Sequence, residues 1–402
     1  MAEPAALSQS EIRRRNLARV LHALVAGEPL SRAEVAARIG LTRAAVSTLV
    51  DELLRGGLLT EREPPPGRPG GVGRPGTGLL IADRGPCGVG AEIGVDHLAV
   101  CVMDLRGEVR VRDRRETQRR DGHRAGPDAV LGELTAMLRT AVAEAAEAGL
   151  RPAGLAVAVP GLVVRNTATV LHAANLGWRN ADLGGPLPRD LGPVTVENEA
   201  NLAALAELWS GRGAGDSFLH VSAEAGIGAA VVIDGELLRG AHGFAGELGH
   251  LPVRPEGRPC RCGGRGCLEA YAGEEALLRA AGLRPGPGVR VGALAARCEA
   301  GDPTALRAVR QAGAALGIAL SGAVNLLDPR RVVIGGALSR LAPWLLTPVS
   351  RELARRTTVA AGGRSTPVPV TVSPLGPDGP LLGAAGHAVR AALDDPAALL
   401  RP

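Results

Sequence analysis

The chain contains no lysine, so all 46 of its Lys and Arg positions are arginine. That absence removes the phosphate-binding lysine of P-loop enzymes, and with it that class of nucleotide chemistry. A GC-rich coding sequence would produce the same bias. Long apolar runs are missing too: no stretch of roughly 18 apolar residues occurs, and no membrane span is expected. The N-terminal stretch lacks the charged, apolar and cleavage regions of a signal peptide in that order, so a cytoplasmic location is expected. Cysteine is sparse and uneven. Of six cysteines, three crowd into Cys260, Cys262 and Cys267, while Cys87, Cys101 and Cys298 stand apart in apolar surroundings. This is metal-ligand spacing plus isolated core thiols, unlike the disulfide framework of a secreted domain.

With 46% hydrophobic residues over 402 positions, the chain can build two or three compact units. The net charge of +5 is concentrated at one end: residues 1–84 carry 12 arginines against 9 acids, leaving +2 for the longer remainder. Residues 10–59 read as three helices. Leu17, Val20, Leu21 and Leu24 give the first an apolar face, ended by Gly27 and Pro29. Ser31 caps a short second helix with Glu34 completing a capping box, and Gly40 closes it. Thr42 caps a third, whose buried face is Val46, Leu49, Val50 and Leu53. Helix, tight glycine turn and helix form a helix-turn-helix pattern.

Between Glu63 and Gly76 the chain is so rich in proline and glycine that neither helix nor central strand can form. A wing and a plain linker both fit this composition. From Cys87 onward, β-rich runs alternate with helices: Gly88 to Met103, a helix near Pro127 to Ala148, Leu155 to Val159, Val194 to Val196, Phe218 to Ile233 and Arg331 to Ile334. Such alternation predicts an α/β body with a substantially parallel sheet.

The strongest local motif is His250 followed by Cys260, Cys262 and Cys267. Three thiolates and an imidazole are the ligand set of a closed tetrahedral zinc site, and Gly263, Gly264 and Gly266 let the loop turn tightly around an ion. With no open coordination position, one structural zinc per chain is expected.

Gly246-Glu247-Leu248-Gly249-His250 and Cys260-Arg261-Cys262-Gly263-Gly264-Arg265-Gly266-Cys267-Leu268-Glu269 together resemble the signature of the ROK family of repressors, open reading frames and kinases. The resemblance extends to Val159-Pro160-Gly161-Leu162, Asn175-Leu176-Gly177-Trp178, Val196-Glu197-Asn198-Glu199-Ala200-Asn201 with Glu207, Asn325-Leu326-Leu327-Asp328-Pro329 and Gly335-Gly336. It covers about residues 86–390, and the N-terminal helices resemble the family's regulator branch. The resemblance implies an actin-like (ribonuclease H-like), two-lobed α/β sugar-kinase fold preceded by an α-rich winged helix-turn-helix domain. The expected division is residues 1–62 as DNA-binding head, 63–84 as wing or linker, and 85–402 as sensor and dimerisation body. Sugar hydroxyls are expected at Asn198, Glu199, Glu247, His250 and Glu269, groups able to accept from and donate to a polyol. Each carboxylate taken alone could equally be a solvated surface acid. His250 would have two tasks, one ring nitrogen on zinc and the other facing a hydroxyl.

Departures from the kinase pattern bear on the chemistry. The phosphate loop Asp-x-Gly-Gly-Thr of kinase members is here Glu92-Ile93-Gly94-Val95-Asp96, and their Gly-Thr-Gly-Ile-Gly loop is Glu224-Ala225-Gly226-Ile227-Gly228. Phosphate binding needs approachable backbone N–H groups and hydroxyl donors. A carboxylate about 4 Å from a phosphate charge costs roughly 4 kcal/mol at an effective dielectric of about 20, so ATP is expected to bind poorly. Glu199 stands where the kinases carry their catalytic aspartate, and its extra methylene moves the carboxylate by about an ångström, a misplacement that can cost about 100-fold. Gly335-Gly336 is then expected to persist for packing.

The expected function is a DNA-binding transcription regulator, a repressor responsive to a sugar or sugar derivative and without phosphoryl transfer. A sugar kinase with a fused DNA-binding head and an architectural DNA-binding protein are the alternatives. Thr42, Arg43, Ala44, Ser47 and Thr48 are expected to face the major groove, and Arg68 and Arg74 an AT-rich minor groove. A single small head binds weakly, so a homodimer on a palindromic double-stranded site is expected, with no membrane partner.

Overall fold

The computed structural model describes residues 8–25, 27–62, 77–117, 126–212, 216–223, 226–284, 290–357 and 368–400. Helix α1 (Gln9–Leu24) begins with a capping box formed by Ser8 and Glu11 and buries Leu17, Val20, Leu21 and Leu24. Helix α2 (Arg32–Ile39) has the Ser31–Glu34 capping box expected from the sequence. Gly40 turns the chain at φ +67°, a conformation that costs a residue with a β-carbon. Helix α3 (Arg43–Arg55) is capped by Thr42 and buries Val46, Leu49, Val50 and Leu53. Strand β1 (Leu59–Arg62) then pairs antiparallel with β2 (Gly78–Ile81), and Leu79 bridges to Leu30. This small sheet against three helices is a winged helix. Residues 63–76, with Arg68 and Arg74, lie outside the described residues.

The first lobe of the body starts with β3 (Gly85–Ile93), β4 (His97–Asp104) and β5 (Val109–Glu116), followed by α4 (Pro127–Glu147) and β6 (Leu150–Val159). A small sheet of β7 (Leu162–Val163), β8 (Thr169–Ala173) and β9 (Trp178–Asp182) precedes β10 (Val194–Asn198), and α5 (Glu199–Glu207) leads out of the lobe. The main sheet runs β10-β6-β3-β4-β5.

The second lobe holds β11 (Phe218–Ala223), β12 (Ile227–Ile233) and β13 (Glu236–Leu237), then α6 (Glu269–Ala272), α7 (Glu274–Ala280), α8 (Val291–Glu299) and α9 (Pro303–Leu327). After β14 (Arg331–Gly336) come α10 (Ala342–Arg356) and β15 (Val370–Val372). Its sheet runs β13-β12-β11-β14-β15, the same plan as the first lobe.

Each sheet is mixed, which departs from the substantially parallel sheet expected. The runs Gly88–Met103 and Phe218–Ile233 are not single strands but antiparallel hairpins, β3–β4 and β11–β12. Parallel pairing is confined to β3, β6 and β10 in one lobe and β11, β14 and β15 in the other. Strands buried on both faces show no alternation, so the pattern does not reveal which strands pair or in which direction.

Between the lobes lie α5 and the C-terminal helix α11 (Gly379–Asp394). Gly383 of α11 lies directly against the Leu202 carbonyl of α5, an approach a β-carbon would block. The same helix runs on to the head. Leu381, Ala385, Val389, Ala392 and Leu393 share one hydrophobic cluster with Leu17, Leu21, Leu53, Leu79 and the β4 residues Ala99 and Cys101. Each buried Leu or Val stabilises the joint by about 1.5–3 kcal/mol relative to exposure. At its rim His22 Nε2 and Asp394 Oδ1 are 2.6 Å apart. A last short helix, α12 (Pro396–Leu399), leads to Leu400, whose side chain covers Gly56.

Candidate functional site

The segment Gly246–His250 is pressed against strand β12. Gly246 has φ +102° and leaves no room for a β-carbon against the Ala229 carbonyl, and Gly249 lies equally close to the Ile227 carbonyl. These two contacts set Glu247 and His250 at the edge of the second lobe. The following loop folds back on itself: Val253 N–H donates to the Gly266 carbonyl, and Cys260 N–H to that of Gly264.

Loop and segment together bring His250, Cys260, Cys262 and Cys267 into one cluster, with ligand atoms within 4.8 Å of one another. Cys260 Sγ is 3.8 Å from His250 Nδ1, and Cys262 Sγ is 3.7 Å from Cys267 Sγ. Zinc–sulfur bonds of about 2.3 Å in a tetrahedron put sulfurs about 3.8 Å apart. The donor set and its spacing therefore fit a zinc ion. His250 aims Nδ1 at this cluster and Nε2 at the carboxylate of Glu247, 3.7 Å from Oε2.

Glu269, the first residue of α6, accepts a hydrogen bond from Ile227 N–H at 3.2 Å. Its carboxylate fills the space over Gly226, with Asn175 Nδ2 beside it. Burial raises the Glu247 carboxyl above its ordinary value; His250 opposes the shift and Glu269 adds to it. Two carboxylates, an imidazole and an amide thus converge near the turn between β11 and β12.

The first lobe contributes the end of β10. Asn198 caps α5: its Oδ1 accepts from Ala200 N–H at 2.8 Å and Asn201 N–H at 3.2 Å, while Nδ2 donates to Gly161 O at 2.9 Å. Its amide therefore shapes the site before any ligand arrives. Glu199 follows as the first residue of the helix. Glu197, quoted in the motif but given no role from sequence, accepts from Asn201 Nδ2 at 3.0 Å and from Arg239 Nε at 2.9 Å, an ion pair from lobe to lobe. Asn175 was likewise legible only as part of a motif.

In the winged-helix head, Thr42, Arg43, Ala44 and Thr48 are exposed and Ser47 is half-buried. Thr42 Oγ1 accepts from Ala45 N–H at 3.3 Å, so that hydroxyl also caps the helix. These residues share the face of α3 turned away from its buried side.

A family model described as the ROK family matches residues 88–390, and one described as the MarR family matches residues 14–68. The chain belongs to the ROK family. It is 28% identical over 377 residues to a protein named xylose repressor from Bacillus subtilis (strain 168), covering 93% of this chain and 95% of the relative. It is 31% identical over 289 residues to a glucokinase from Halalkalibacterium halodurans, covering 66% of this chain and 84% of that one. A solved ROK family transcriptional regulator, a homologue of the E. coli MLC protein, superposes with a TM-score of 0.77 at 26% identity, covering 97% of this chain and 98% of that one.

In this ROK chain the turn between β3 and β4 is filled by its own side chains. The ring of His97 lies over Gly94, with Nδ1 3.1 Å from Asp96 Oδ1 and Nε2 3.2 Å from Glu92 Oε1. The Glu92 contact is an ion pair without hydrogen-bond alignment. Burial disfavours the imidazolium, yet Asp96 and Glu92 lift His97 to about 9. Its hydrogen bond to His97, together with Arg290, brings Asp96 down to about 2. Gly335 packs against the buried ring of His220, which burial lowers to about 4. Of the second loop, Glu224 and Ala225 lie outside the described residues. Among the described residues no helix is long and apolar enough to cross a membrane.

Proposed function

We propose that this protein is a DNA-binding repressor of sugar metabolism whose operator affinity changes when a sugar occupies the cleft, and that it transfers no phosphoryl group. The observation that carries the reading is the double orientation of His250, one ring nitrogen toward three cysteines and the other toward Glu247. A zinc ion held by His250, Cys260, Cys262 and Cys267 would fix the imidazole tautomer and staple the loop between Glu247 and Glu269. Asn198, Glu199, Glu247, His250 and Glu269 would then bind hydroxyls. The named xylose repressor and the solved ROK regulator both align over most of the chain, head included, which supports the regulator reading.

The phosphate side supports the absence of phosphoryl transfer. Val95 and Asp96 stand where the kinase phosphate loop carries glycine and threonine, Glu224 and Ala225 where the second loop carries glycine and threonine, and Glu199 replaces the shorter aspartate. In this reading residues 1–62 bind DNA, 63–84 form wing or linker, and 85–402 sense sugar and dimerise in the cytoplasm. Two heads on a palindromic double-stranded operator would use Thr42, Arg43, Ala44, Ser47 and Thr48, with Arg68 and Arg74 in the flanking minor groove.

The test is operator binding by the full chain, measured with and without D-xylose, D-glucose and their phosphates, alongside coupled ATP turnover. A sugar-dependent change in affinity without turnover supports the reading. Sugar-dependent ATP consumption at a kinase rate would replace it with a kinase carrying a DNA-binding head.

A further inference from the structure

One contact joins the lobes through residues to which no sugar contact is assigned. Arg290, the N-cap of α8 in the second lobe, pairs through Nη1 with Asp96 in the β3–β4 turn of the first. Its Nε donates to Glu274 Oε1 at 3.0 Å. Glu274 is nearly buried, 5% exposed, and the same oxygen accepts from Val291 N–H at 3.0 Å, so the arginine is anchored at its own end. Asp96 is anchored too, by His97, whose ring is packed over Gly94. Glu274 opens α7 immediately after the short helix that begins at Glu269. The chain of charges therefore ties the first lobe to the segment bearing one of the cleft carboxylates.

We propose that the Asp96–Arg290–Glu274 chain is an interlobe latch that holds the cleft in its sugar-ready arrangement without a nucleotide. A molecule seated between two lobes closes them by touching both. Here protein side chains make that bridge, from the turn that corresponds to the kinase phosphate loop. A phosphate-binding arginine is the competing assignment for Arg290. Against it, the guanidinium already faces two carboxylates, so an incoming phosphate would meet one cation and two anions. This inference rests on the cleft binding a sugar.

Because Asp96 and Arg290 side chains are 40% and 35% exposed, the pair is partly screened. Opening the latch is expected to weaken sugar binding only about threefold to fivefold. The experiment compares full-length parent, Asp96→Ala, Arg290→Ala and the double variant by calorimetric titration with D-xylose and D-glucose, and by small-angle scattering without sugar. Asp96→Asn, nearly isosteric, serves if an alanine variant melts early. Expected are a larger radius of gyration in each variant, weaker sugar binding, and a double variant no worse than either single one. Unchanged radius and unchanged affinity would overturn the latch. So would ATP binding to the parent that is lost in Arg290→Ala, which would make Arg290 a nucleotide ligand. If neither sugar binds the parent, the sensor reading fails by itself, and the scattering comparison still decides whether the lobes are latched.

Discussion

His250 Nε2 lies 3.7 Å from Glu247 Oε2, while the other nitrogen of the same ring faces the Cys260 thiol. The His–Cys cluster and the cleft thus share one side chain, and loss of the proposed zinc from the first should be felt in the second. Protein purified without chelator is expected to contain one zinc ion per chain by elemental analysis. Cys262→Ser should lose it, lower Tm by about 5–10 °C, and blunt the response to sugar. Full metal content in Cys262→Ser would remove that cysteine from the ligand set.

The cleft carboxylates should matter to sugar and not to DNA. Glu247→Ala and Glu269→Ala are expected to abolish sugar-induced changes in melting temperature while leaving sugar-free operator binding within about twofold of the parent, since both belong to the second lobe and the head packs on the first. Variants that respond to sugar as the parent does would mean the hydroxyls bind elsewhere.

Sugar-dependent ATP hydrolysis should stay at background under conditions where a kinase turns over at about 1–100 per second. A coupled assay with D-glucose and D-xylose measures this directly.

On DNA, Arg43→Ala should relax sequence preference, and Arg68→Ala with Arg74→Ala should weaken binding to AT-flanked sites. If both wing arginines contact phosphate, the double variant reduces the slope of log affinity against log salt by about 1.8, at about 0.9 per neutralised charge. Footprints and salt titrations on the operator test both. An unchanged slope would remove both arginines from the DNA contact.

The buried His97 makes stability depend on pH in a defined direction. It faces Glu92 and Asp96, with Arg114 opposing its charge, and stands at about 9 in the folded chain against an ordinary value of 6.5. The folded state therefore holds a proton that the unfolded state releases. The resulting stabilisation is complete below about pH 6.5 and is lost as pH rises through about 9. Thermal melts should show the parent losing more stability between pH 7 and about 9.5 than His97→Gln, and parallel curves would show that the imidazole is neutral.

What the sequence by itself determined is local. The Ser31–Glu34 capping box, the Gly40 turn and the buried faces of α1 and α3 were legible because hydrogen bonds three residues apart and helical periodicity are written in adjacent positions, whereas the Ser8–Glu11 box of α1 emerged only from the structure. That His250, Cys260, Cys262 and Cys267 gather in one cluster was legible because spacing and donor type are themselves the chemistry. Tertiary structure alone decided which distant groups meet. Arg290 reaches Asp96 across 194 positions and His22 reaches Asp394 across 372, and no residue near either marks its partner. The hairpins β3–β4 and β11–β12 were half legible: Glu92-Ile93-Gly94-Val95-Asp96 and Glu224-Ala225-Gly226-Ile227-Gly228 read as loops inside apolar runs, but which strands pair, and in which direction, is decided by the packed sheet. Asn198 is the middle case. Its place in the motif was plain, but that its amide is already bound to Gly161, Ala200 and Asn201 depends on where the chain path brings Gly161, and path is a property of the packed fold.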